Sequence, residues 1–539
     1  METAEHRVVD PKCLPFSSIP HTSRLFDDFL HHFDKVRGFY ARPPLAGNWW
    51  EEEKKRIVYP DDRRKVVADI LQRQNQEFGA GAKTLQNIER LRDGAPAVVT
   101  GQQVGLFGGP LFCVLKAISA SKLAEQTGAV PVFWLASEDH DLAEIDFVNL
   151  PAGDHLERLS VDPPHTEGAP VGMIAFDEQI GAALKQLEVL LGASPISELL
   201  ASSYRQGETF ATAFAKFYAK ILGDEGVVFL NSLDTELHRV VRPLYRSALE
   251  KSEQINQALL ERERELESAG YHVQVKVTPS HTLCFYLQDG ARLPVHQEGQ
   301  GFLIGGHKLS RSELLAEVER CPERFSANVL LRPVIEDFLL PTLCYIGGPA
   351  EVAYFAQVET VYRRLATRVT PIVPRIFATL VEPRQAKLLK RYDLKLTDIF
   401  VTPEKVQEVV AARALPNGVM KSFDAATKHL EQALAAIQPS LETLDPTLVD
   451  AAENAGSKMR HQLQSLRDKA GRAEARKNTE LARHADELST LLYPNKDLQE
   501  REIGAVYFLQ KYGLGLLEQL KQNLKAECLE HQVIEVGLA

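Results

Sequence analysis

The sequence is poor in cysteine, and its cysteines form no recognisable pair. Six cysteines are spread over 539 residues, with no C-x-x-C motif and no cysteine–histidine spacing suited to a metal. Small secreted domains are dense in cysteine because disulfides stabilise them, and structural zinc sites need clustered ligands. We therefore expect reduced thiols, no structural metal site and a cytoplasmic protein.

The sequence also lacks a long hydrophobic run and an excess of basic residues. No window reaches the ~18 uninterrupted apolar residues of a transmembrane helix, and the first residues do not resemble a signal peptide. Lysine and arginine number 62 against 73 aspartates and glutamates, which gives a net charge of −11. This balance argues against nucleic acid or an anionic membrane as the main partner, but it leaves room for a small anionic substrate.

The apolar content is sufficient for more than one hydrophobic core. A hydrophobic share of 44% in a chain of this length predicts two or more domains. Apolar residues three and four positions apart predict helices at about 22–37 and 61–92, the second broken at Gly79 and Gly81. Further elements are expected as helices at 176–200, 204–222 and 233–269, a strand at 226–232, and a small antiparallel sheet within 272–306.

A βαβ unit begins near residue 96. A β-branched run (96–100) leads into the glycine-rich TGQQVGLFGGPLF (100–112), then a helix, then the apolar strand VPVFWLAS (130–137). Such a unit places the glycine-rich loop at the carboxyl end of a parallel strand, where α/β proteins bind ligands.

The glycine-rich loop is a candidate substrate site. Gly101, Gly108 and Gly109 let the backbone approach a ligand closely, and the next helix start offers free N–H groups to a phosphate or carboxylate. Gln102 and Gln103 are candidates to orient a substrate. The loop is neither G-x-G-x-x-G nor a P-loop, and a tight packing turn is the alternative interpretation.

Four ionisable residues follow the strand at 130–137. Glu138, Asp139, His140 and Asp141 can bind a substrate amine, hold Mg²⁺ beside phosphates, or supply a general base through His140. A capping turn for a following helix would account for one or two of these acids, but not for the whole cluster.

A second glycine loop repeats the first design. The string CYIGGPAEVAYFAQ predicts a strand through Tyr345, the pair Gly347 and Gly348, and a helix with Glu351 on its first turn. Two such loops predict two walls of one cleft, and these four residues are candidates for substrate contact. The alternative is a glycine-lined packing turn.

Beyond about residue 385 the sequence predicts almost only helix. The stretch from Pro446 to Pro494 has no internal proline, and its apolar positions alternate in steps of three and four, the pattern of a coiled coil. One continuous helix there would run about 70 Å. Other expected elements of this region are helices near 403–413, 420–438 and 500–525, and a strand at 532–536.

The motif LLYPNKDLQER (491–501) interrupts this helical pattern. Pro494 and Asn495 predict a turn, and the simplest interpretation is a tip or corner of the coiled coil. Tyr493, Asn495 and Arg501 are also candidates to contact a nucleotide near the arm.

Four strings in this order resemble the bacillithiol biosynthesis cysteine-adding enzymes, namely TGQQVGLFGGPLF, FWLASEDHDLAEID, YIGGPAEVAYFAQ and LYPNKDLQER. The resemblance covers nearly the whole chain. It implies an α/β fold with a Rossmann-like, nucleotidyl-transferase-type core and inserted connecting segments, followed by an α-helical coiled-coil domain that pairs two subunits into a homodimer. The expected bounds are 1–384 for the core, with insertions at about 150–310, and 385–539 for the coiled-coil domain, whose tail can return to the core.

The resemblance also implies a ligase that adds L-cysteine to glucosaminyl-malate and so forms bacillithiol, in the last step of its biosynthesis. Because forming an amide from a free carboxylate is uphill in water, we expect ATP or another nucleotide as co-substrate, with Mg²⁺ as a candidate companion ion. Related superfamilies carry an H-x-G-H motif after the first strand and a K-M-S-K-S-like loop. This sequence has neither, so their adenylating mechanism does not transfer directly.

Two alternatives stay open at the level of sequence. Another ATP-dependent amide-forming ligase, for example a pantothenate-synthetase-like enzyme, would share the core but would not depend on cysteine. A non-catalytic coiled-coil scaffold would tolerate changes in the polar clusters, and it leaves those clusters unexplained.

Overall fold

A computed structural model describes residues 12–475 and 478–537. Its strands, in chain order, are β1 (Lys12–Leu14), β2 (Ala97–Gln102), β3 (Val130–Leu135), β4 (Phe147–Ala152), β5 (His155–Ser160), β6 (Val228–Asn231), β7 (His281–Gln288), β8 (Ala291–Glu298), β9 (Gly301–Ile304), β10 (His307–Ser310), β11 (Phe325–Ala327), β12 (Thr342–Gly347), β13 (Ile372–Pro374), β14 (Phe377–Val381) and β15 (His531–Glu535).

The α-helices form two groups along the chain. Those before residue 392 are α1 (Arg24–His31), α2 (Trp49–Arg56), α3 (Asp61–Glu77), α4 (Ala82–Arg92), α5 (Leu111–Thr127), α6 (Gln179–Leu191), α7 (Pro195–Ser203), α8 (Phe210–Ile221), α9 (Thr235–Glu250), α10 (Ser252–Ser268), α11 (Arg311–Arg320), α12 (Arg332–Leu339), α13 (Pro349–Leu365) and α14 (Pro383–Arg391). Those after it are α15 (Pro403–Arg413), α16 (Asn417–Leu444), α17 (Thr447–Ala475), α18 (Thr479–Leu492), α19 (Gln499–Glu502), α20 (Ala505–Tyr512) and α21 (Gly515–Asn523).

The central sheet has five parallel strands in the order β13-β12-β2-β3-β6. If these five strands alone are numbered 1 to 5 in chain order, from β2 to β13, their order across the sheet is 5-4-1-2-3. This is the strand order of a Rossmann-type sheet. β3 is buried along its whole length and α5 on almost all sides, because helices or loops cover both faces of the sheet. The predicted Rossmann-like α/β class is confirmed.

A second sheet is inserted between β6 and β12. Its antiparallel strands follow the order β10-β9-β8-β7-β11, and three of them, β7, β8 and β9, lie where the sequence predicts a small sheet. The single charged helix expected at 233–269 is wrong, because α9 and α10 meet at Lys251, whose backbone closes one helix and opens the next.

A third sheet brings the two chain ends together. β15 lies between β14, to which it is parallel, and β1, to which it is antiparallel. The strand predicted in the tail forms at His531–Glu535, whereas β1 falls in a region for which the sequence predicts only helices. Three residues are too few to show the alternation that reveals a strand.

The C-terminal helices build an arm. We call the antiparallel pair α16 and α17 the arm, and α15 and α18 pack at its base. The continuous 70 Å helix is wrong, because Asn478 caps a new helix by accepting from the Glu480 N–H at 3.1 Å. The 29 residues of α17 span about 44 Å. No helix in the described part of the chain is both long and apolar enough to cross a membrane.

Candidate active site

The central sheet reverses its direction of winding between β2 and β12. From β2 the chain continues through β3 to β6 on one side, and it later returns to β12 and β13 on the other. Ligands of open parallel sheets bind in the crevice outside the carboxyl ends of such a strand pair. Gln102 ends β2 and Gly347 ends β12, so the two predicted glycine loops begin at this crevice.

A buried lysine joins the two strands there. The side chain of Lys116, on α5, is 3% exposed, and its Nζ donates to the Gly101 carbonyl (2.7 Å) and to Gln102 Oε1 (2.9 Å). Its third partner is Glu351 Oε1, at 2.8 Å. Burial lowers the pKa of Lys116, and the Glu351 carboxylate opposes that shift because it favours the charged ammonium.

Glu351 completes this group from the first turn of α13. Its Oε1 accepts from the Tyr345 hydroxyl (2.8 Å), and its Oε2 accepts from the Gly348 N–H (2.6 Å). A Cβ added to Gly347 would lie 2.9 Å from that of Glu351, so this close approach needs glycine. We call Lys116, Gln102, Tyr345 and Glu351 the lysine cluster.

Gly108 and Gly109 are buried further along the first loop. The Gly108 N–H donates to the Tyr204 hydroxyl (2.9 Å), and the Gly109 N–H donates to the Leu106 carbonyl (3.0 Å). Their φ angles of 88° and 68° are left-handed, which glycine adopts without strain. Because the protein itself engages these N–H groups, their contact with a substrate anion stays a prediction.

The acidic residues after β3 do not cap a regular helix. Asp139 Oδ2 accepts from Gln103 Nε2 (2.7 Å), and its Oδ1 accepts from the backbone N–H of His140 (2.7 Å). Asp141 is exposed and precedes only the short 3-10 turn Leu142–Glu144, which it does not cap with its side chain. The capping interpretation is therefore wrong, and Asp139 instead ties β3 to the β2 loop.

His140 contacts an arginine from the inserted sheet. Nη1 of Arg292, on β8, lies 3.2 Å from His140 Nδ1, and its guanidinium covers the Phe285 ring at 3.8 Å. Arginine only donates, so His140 Nδ1 accepts and the neutral ring carries its proton on Nε2. Burial lowers the pKa of Arg292, while Glu138 opposes that shift.

Glu138 is buried beneath these residues. It is 8% exposed, and burial raises its pKa to about 7, although Arg292 and Arg332 act in the opposite direction. Its Oε1 lies 3.4 Å from Nε2 of His238, whose own pKa falls to about 4 through burial. His238 is thus neutral at pH 7, and Glu138 titrates near neutrality, as suits a general base.

Arg332 lies between the two groups of residues. Its Nη2 donates to the Tyr354 hydroxyl (3.0 Å), but its Nε, 3.4 Å from Glu336 Oε1, makes no hydrogen bond. The indole N–H of Trp134 is buried and also has no partner among the described residues. Trp134 lines a cavity where the acceptor of a bound ligand can reach its N–H. We call Glu138, His140, Arg292 and Arg332 the glutamate cluster.

Two cavities open on these clusters. The charged cavity, of about 320 Å³, is lined among others by Trp134, Glu138, Asp139, His140, Arg292 and Arg332. The groove, of about 1250 Å³, is lined among others by Gln102, Gln103, Tyr493, Asn495 and Arg501. Gln103 lines the groove and Asp139 lines the charged cavity, so their hydrogen bond forms part of the wall between them.

The turn after α18 is a corner at the edge of the groove, and the tip of the arm lies elsewhere, between α16 and α17. Tyr493 packs on Phe400, with ring centroids 5.0 Å apart. Asn495 has a left-handed φ of 51° and donates to Glu502 Oε2 at 2.7 Å. Arg501 is exposed and pairs with Asp497 at 3.0 Å.

Three cations of the site were missed by the sequence analysis, namely Lys116, Arg292 and Arg332. Lys116 carried a usable signal, because it is the one charge in the apolar run LFCVLKAISA, and a lone charge on a buried helix needs a partner. The two arginines carried none, since they come from a strand and a helix far along the chain.

The described residues contain no group of three or more histidine, cysteine, aspartate or glutamate side chains placed to hold a metal ion. Mg²⁺ bound with nucleotide phosphates needs only one or two protein carboxylates. A role for Mg²⁺ therefore stays a prediction.

Comparison with known proteins yields two family models that together span almost the whole chain. "Bacillithiol biosynthesis BshC, N-terminal Rossmann-like domain" matches residues 11–376, and "Bacillithiol biosynthesis BshC, C-terminal coiled-coil domain" matches residues 378–536. The predicted division at 384/385 lies a short way beyond the division between these matches.

Three full-length relatives carry the name "Putative cysteine ligase BshC". The protein of Koribacter versatilis is 48% identical over 532 residues, which cover 98% of this chain and 100% of that protein. Those of Solibacter usitatus and Salinibacter ruber are each 34% identical, over 535 residues (97% of this chain, 99% of that protein) and 556 residues (99% of both).

Proposed function

Because the chain belongs to the bacillithiol biosynthesis BshC family, we propose that it joins L-cysteine to glucosaminyl-malate and so completes bacillithiol. Family models match both of its domains, and its full-length relatives are named as cysteine ligases. The reaction forms an amide between the cysteine carboxylate and the amine of glucosaminyl-malate. It therefore needs a place for a zwitterionic amino acid, a means of activating a carboxylate, and a base for the amine.

The observation that carries this proposal is the glutamate cluster at the carboxyl ends of the strands. The charged cavity has the size of an amino-acid site, and both signs of charge face into it. The cysteine ammonium is placed against Asp139, and its carboxylate against the guanidinium groups of Arg292 and Arg332. The unpaired Trp134 N–H supplies a further donor to the ligand.

Activation is assigned to a nucleotide in the groove. This space is large enough for ATP, and Gln103 on its wall is bonded to Asp139 of the charged cavity. Tyr493, Asn495 and Arg501, which also line the groove, are assigned to contact the nucleotide. Glu144, which accepts from Gln103 and lines the groove, is the carboxylate placed to hold Mg²⁺ beside its phosphates.

Of the two residues, Glu138 is the better candidate for the general base, and His140 is the better candidate for a hydrogen-bond donor. His140 Nδ1 is occupied by Arg292, so the ring presents an N–H, which stabilises a carboxylate or developing oxyanion. Glu138 has a pKa of about 7 and can take the proton that the attacking ammonium must lose. The lysine cluster, with Gly347 and Gly348, lies at the switch point and reaches the groove through Gln102.

The test is a mass-spectrometric assay of the full-length protein with cysteine, glucosaminyl-malate, ATP and Mg²⁺. We expect bacillithiol only when all substrates are present, and AMP or ADP in equal amount to the product. Release of AMP identifies an adenylate as the activated form of the carboxylate, and release of ADP identifies an acyl phosphate. Serine in place of cysteine is the matched control, because it differs only at the side-chain atom. Product formation without any nucleotide would contradict the activation proposed for the groove.

A homodimer through the arm is the second part of the proposal. Large apolar side chains on its two helices are exposed, among them Val419, Ile437, Leu444, Met459 and Leu466. Exposed apolar residues along a helical pair are typical of a surface that packs against another subunit. Light scattering should show that the wild type is a dimer. The double variant Met459→Glu, Leu466→Glu should be a monomer. A monomeric wild type would contradict this part alone.

A further inference from the structure

Two cysteines from opposite ends of the chain are in contact. Cys13 lies on β1 and Cys528 lies just before β15, and their Sγ atoms are 2.8 Å apart although 515 positions separate them. Cys113, Cys284 and Cys344 are buried, and Cys321 is half-buried.

The backbone on both sides of this pair is fixed. β1 and β15 are hydrogen-bonded partners, with Cys13 opposite Gln532. The Gln532 amide both accepts from the Lys525 N–H (2.8 Å) and donates to the Lys525 carbonyl (2.9 Å), which closes the loop that carries Cys528. Glu530 ties the same loop to the N-terminal segment, because it accepts from the Phe16 N–H at 2.9 Å.

The environment fits thiol chemistry better than metal binding. The described residues hold no third histidine, cysteine or carboxylate ligand placed with these two sulfurs, so a metal site has too few ligands. Cys13 is exposed, whereas burial raises the pKa of Cys528 to about 12, with a further contribution from the neighbouring Cys13. A reagent in solution therefore reaches Cys13 first, and Cys528 stands behind it as the resolving thiol.

We propose that Cys13 and Cys528 are a thiol-modification site, which a low-molecular-weight disulfide oxidises to a reversible internal disulfide between the two chain ends. The Cys13 thiolate attacks one sulfur of the reagent RSSR and expels RS⁻, which leaves a mixed disulfide. The Cys528 thiolate then attacks the Cys13 sulfur and expels the second RS⁻. The two protein thiols lose two electrons and two protons, and the reagent leaves as two RSH.

This bond would close the third sheet covalently. β15 also pairs with β14, whose Ala378 N–H and Leu380 N–H donate to the side chains of Glu500 and Gln499 at 2.8 Å each. The oxidised form therefore restrains the tail strand and, through β14, the segment that follows the corner beside the groove. Local opening at the chain ends should become rarer, and cleavage of the tail by a protease slower.

The experiment uses the full-length protein, reduced and then freed of reductant. Incubation with bis(2-hydroxyethyl) disulfide, followed by intact-mass analysis, should give a species lighter by about 2 Da, as expected for one internal disulfide. A non-reduced peptide map should join the peptides of Cys13 and Cys528, and dithiothreitol should reverse both changes. Tail proteolysis should slow on the order of tenfold in the oxidised protein and recover on reduction.

Single variants separate this reaction from general thiol reactivity. C528S should stop at the mixed disulfide on Cys13, C13S should react much more slowly, and the half-buried control C321S should behave as wild type. The proposal would be overturned by a wild type that stops at the mixed disulfide, or by linkage that persists in C13S. No substrate enters the assay, so its outcome is independent of the ligase reaction.

Discussion

The two ionic clusters of the central sheet lie close together but differ in how well their groups are paired. In the lysine cluster, Lys116 Nζ has three partners, and both oxygens of Glu351 accept hydrogen bonds. In the glutamate cluster, the Glu138 carboxylate lies 3.4 Å from the neutral His238, and Arg332 Nε has no hydrogen-bond partner among the described residues. A fully paired buried cluster holds structure together, whereas an incompletely paired one is suited to receive a ligand.

The largest expected effect is on catalysis at Glu138. Glu138→Gln keeps the size of the side chain but removes the base, so the maximal rate should fall on the order of 10³-fold. Wild-type activity should also fall about tenfold per pH unit below 7, because the pKa of about 7 leaves the base protonated there. Rates measured from pH 5 to 9 test both statements.

The exposed Glu253→Gln on α10 is the matched control and should retain wild-type activity. A Glu138→Gln variant with wild-type turnover would remove Glu138 from the chemistry, and His140 would then be the next residue to test.

The second effect, on stability, belongs to the lysine cluster. Lys116→Met retains the length of the side chain but leaves the Glu351 carboxylate without its cation, which should cost about 4 kcal/mol. Urea unfolding followed by tryptophan fluorescence reports on the core alone, because Trp49, Trp50 and Trp134 all precede the arm. Lys54→Met, which breaks the surface pair with Glu51, should leave unfolding unchanged.

The comparison between the clusters would fail if Lys116→Met unfolded like the wild type but had lost activity. In that case Lys116 and Glu351 would act on substrate directly. If the Lys116 variant does not fold, Glu351→Gln is a second variant for the same test, since it keeps an acceptor for the Gly348 N–H.

The third effect has the opposite sign to the second. The folded state raises the pKa of Glu138 from 4.5 to about 7, so between these values the folded chain binds more protons than the unfolded chain. Stability from this group is therefore present at low pH and is lost as pH rises. Glu138→Gln, which cannot ionise, should be more stable than wild type by about 3 kcal/mol at pH 8 and equal to it at pH 4.

Equal stability of the two proteins at pH 8 would mean that Glu138 is already well paired, as Glu351 is. A gain in stability combined with a loss of activity would show that the site is maintained at a cost to the fold.

The sequence predicts the framework of the site but not its charge pairs. The β2 and β12 loops follow from glycines placed after apolar runs, and Glu138 to His140 from a polar cluster at a strand end. Both signals lie within about fifteen residues, where periodicity and turn chemistry act. The pairs Lys116–Glu351 and His140–Arg292 join residues 235 and 152 positions apart. The pairing of β2 with β12 brings the first pair together, and the inserted sheet brings Arg292 to His140.

The error in the C-terminal helices has a different, local cause. The heptad pattern is continuous enough to predict helix from Pro446 to Pro494, but the local cap at Asn478 begins a separate helix. The side-chain oxygen of an asparagine competes for backbone N–H groups, and a periodicity count does not weigh that competition.

The smallest expected effect is on the hydrogen bond between the charged cavity and the groove. Gln103 Nε2 donates to Asp139 at 2.7 Å and to Glu144 at 2.8 Å, and so links the first glycine loop to the acidic residues after β3. Gln103→Leu removes both bonds while the carboxylates remain solvated, so we expect a loss of about 1 kcal/mol in transition-state stabilisation. That corresponds to about a fivefold fall in kcat/KM.

If Gln103 only separates the two spaces, the KM values of cysteine and nucleotide should rise together, since each ligand loses a wall. If it instead orients one ligand, the KM for that ligand alone should rise. A change confined to the nucleotide would place Gln103 with Tyr493 and Asn495 as part of the groove, and a change confined to cysteine would extend the glutamate cluster onto the β2 loop. Gln102→Leu is the informative partner, because Gln102 is bonded to Lys116 and its loss should lower stability rather than binding.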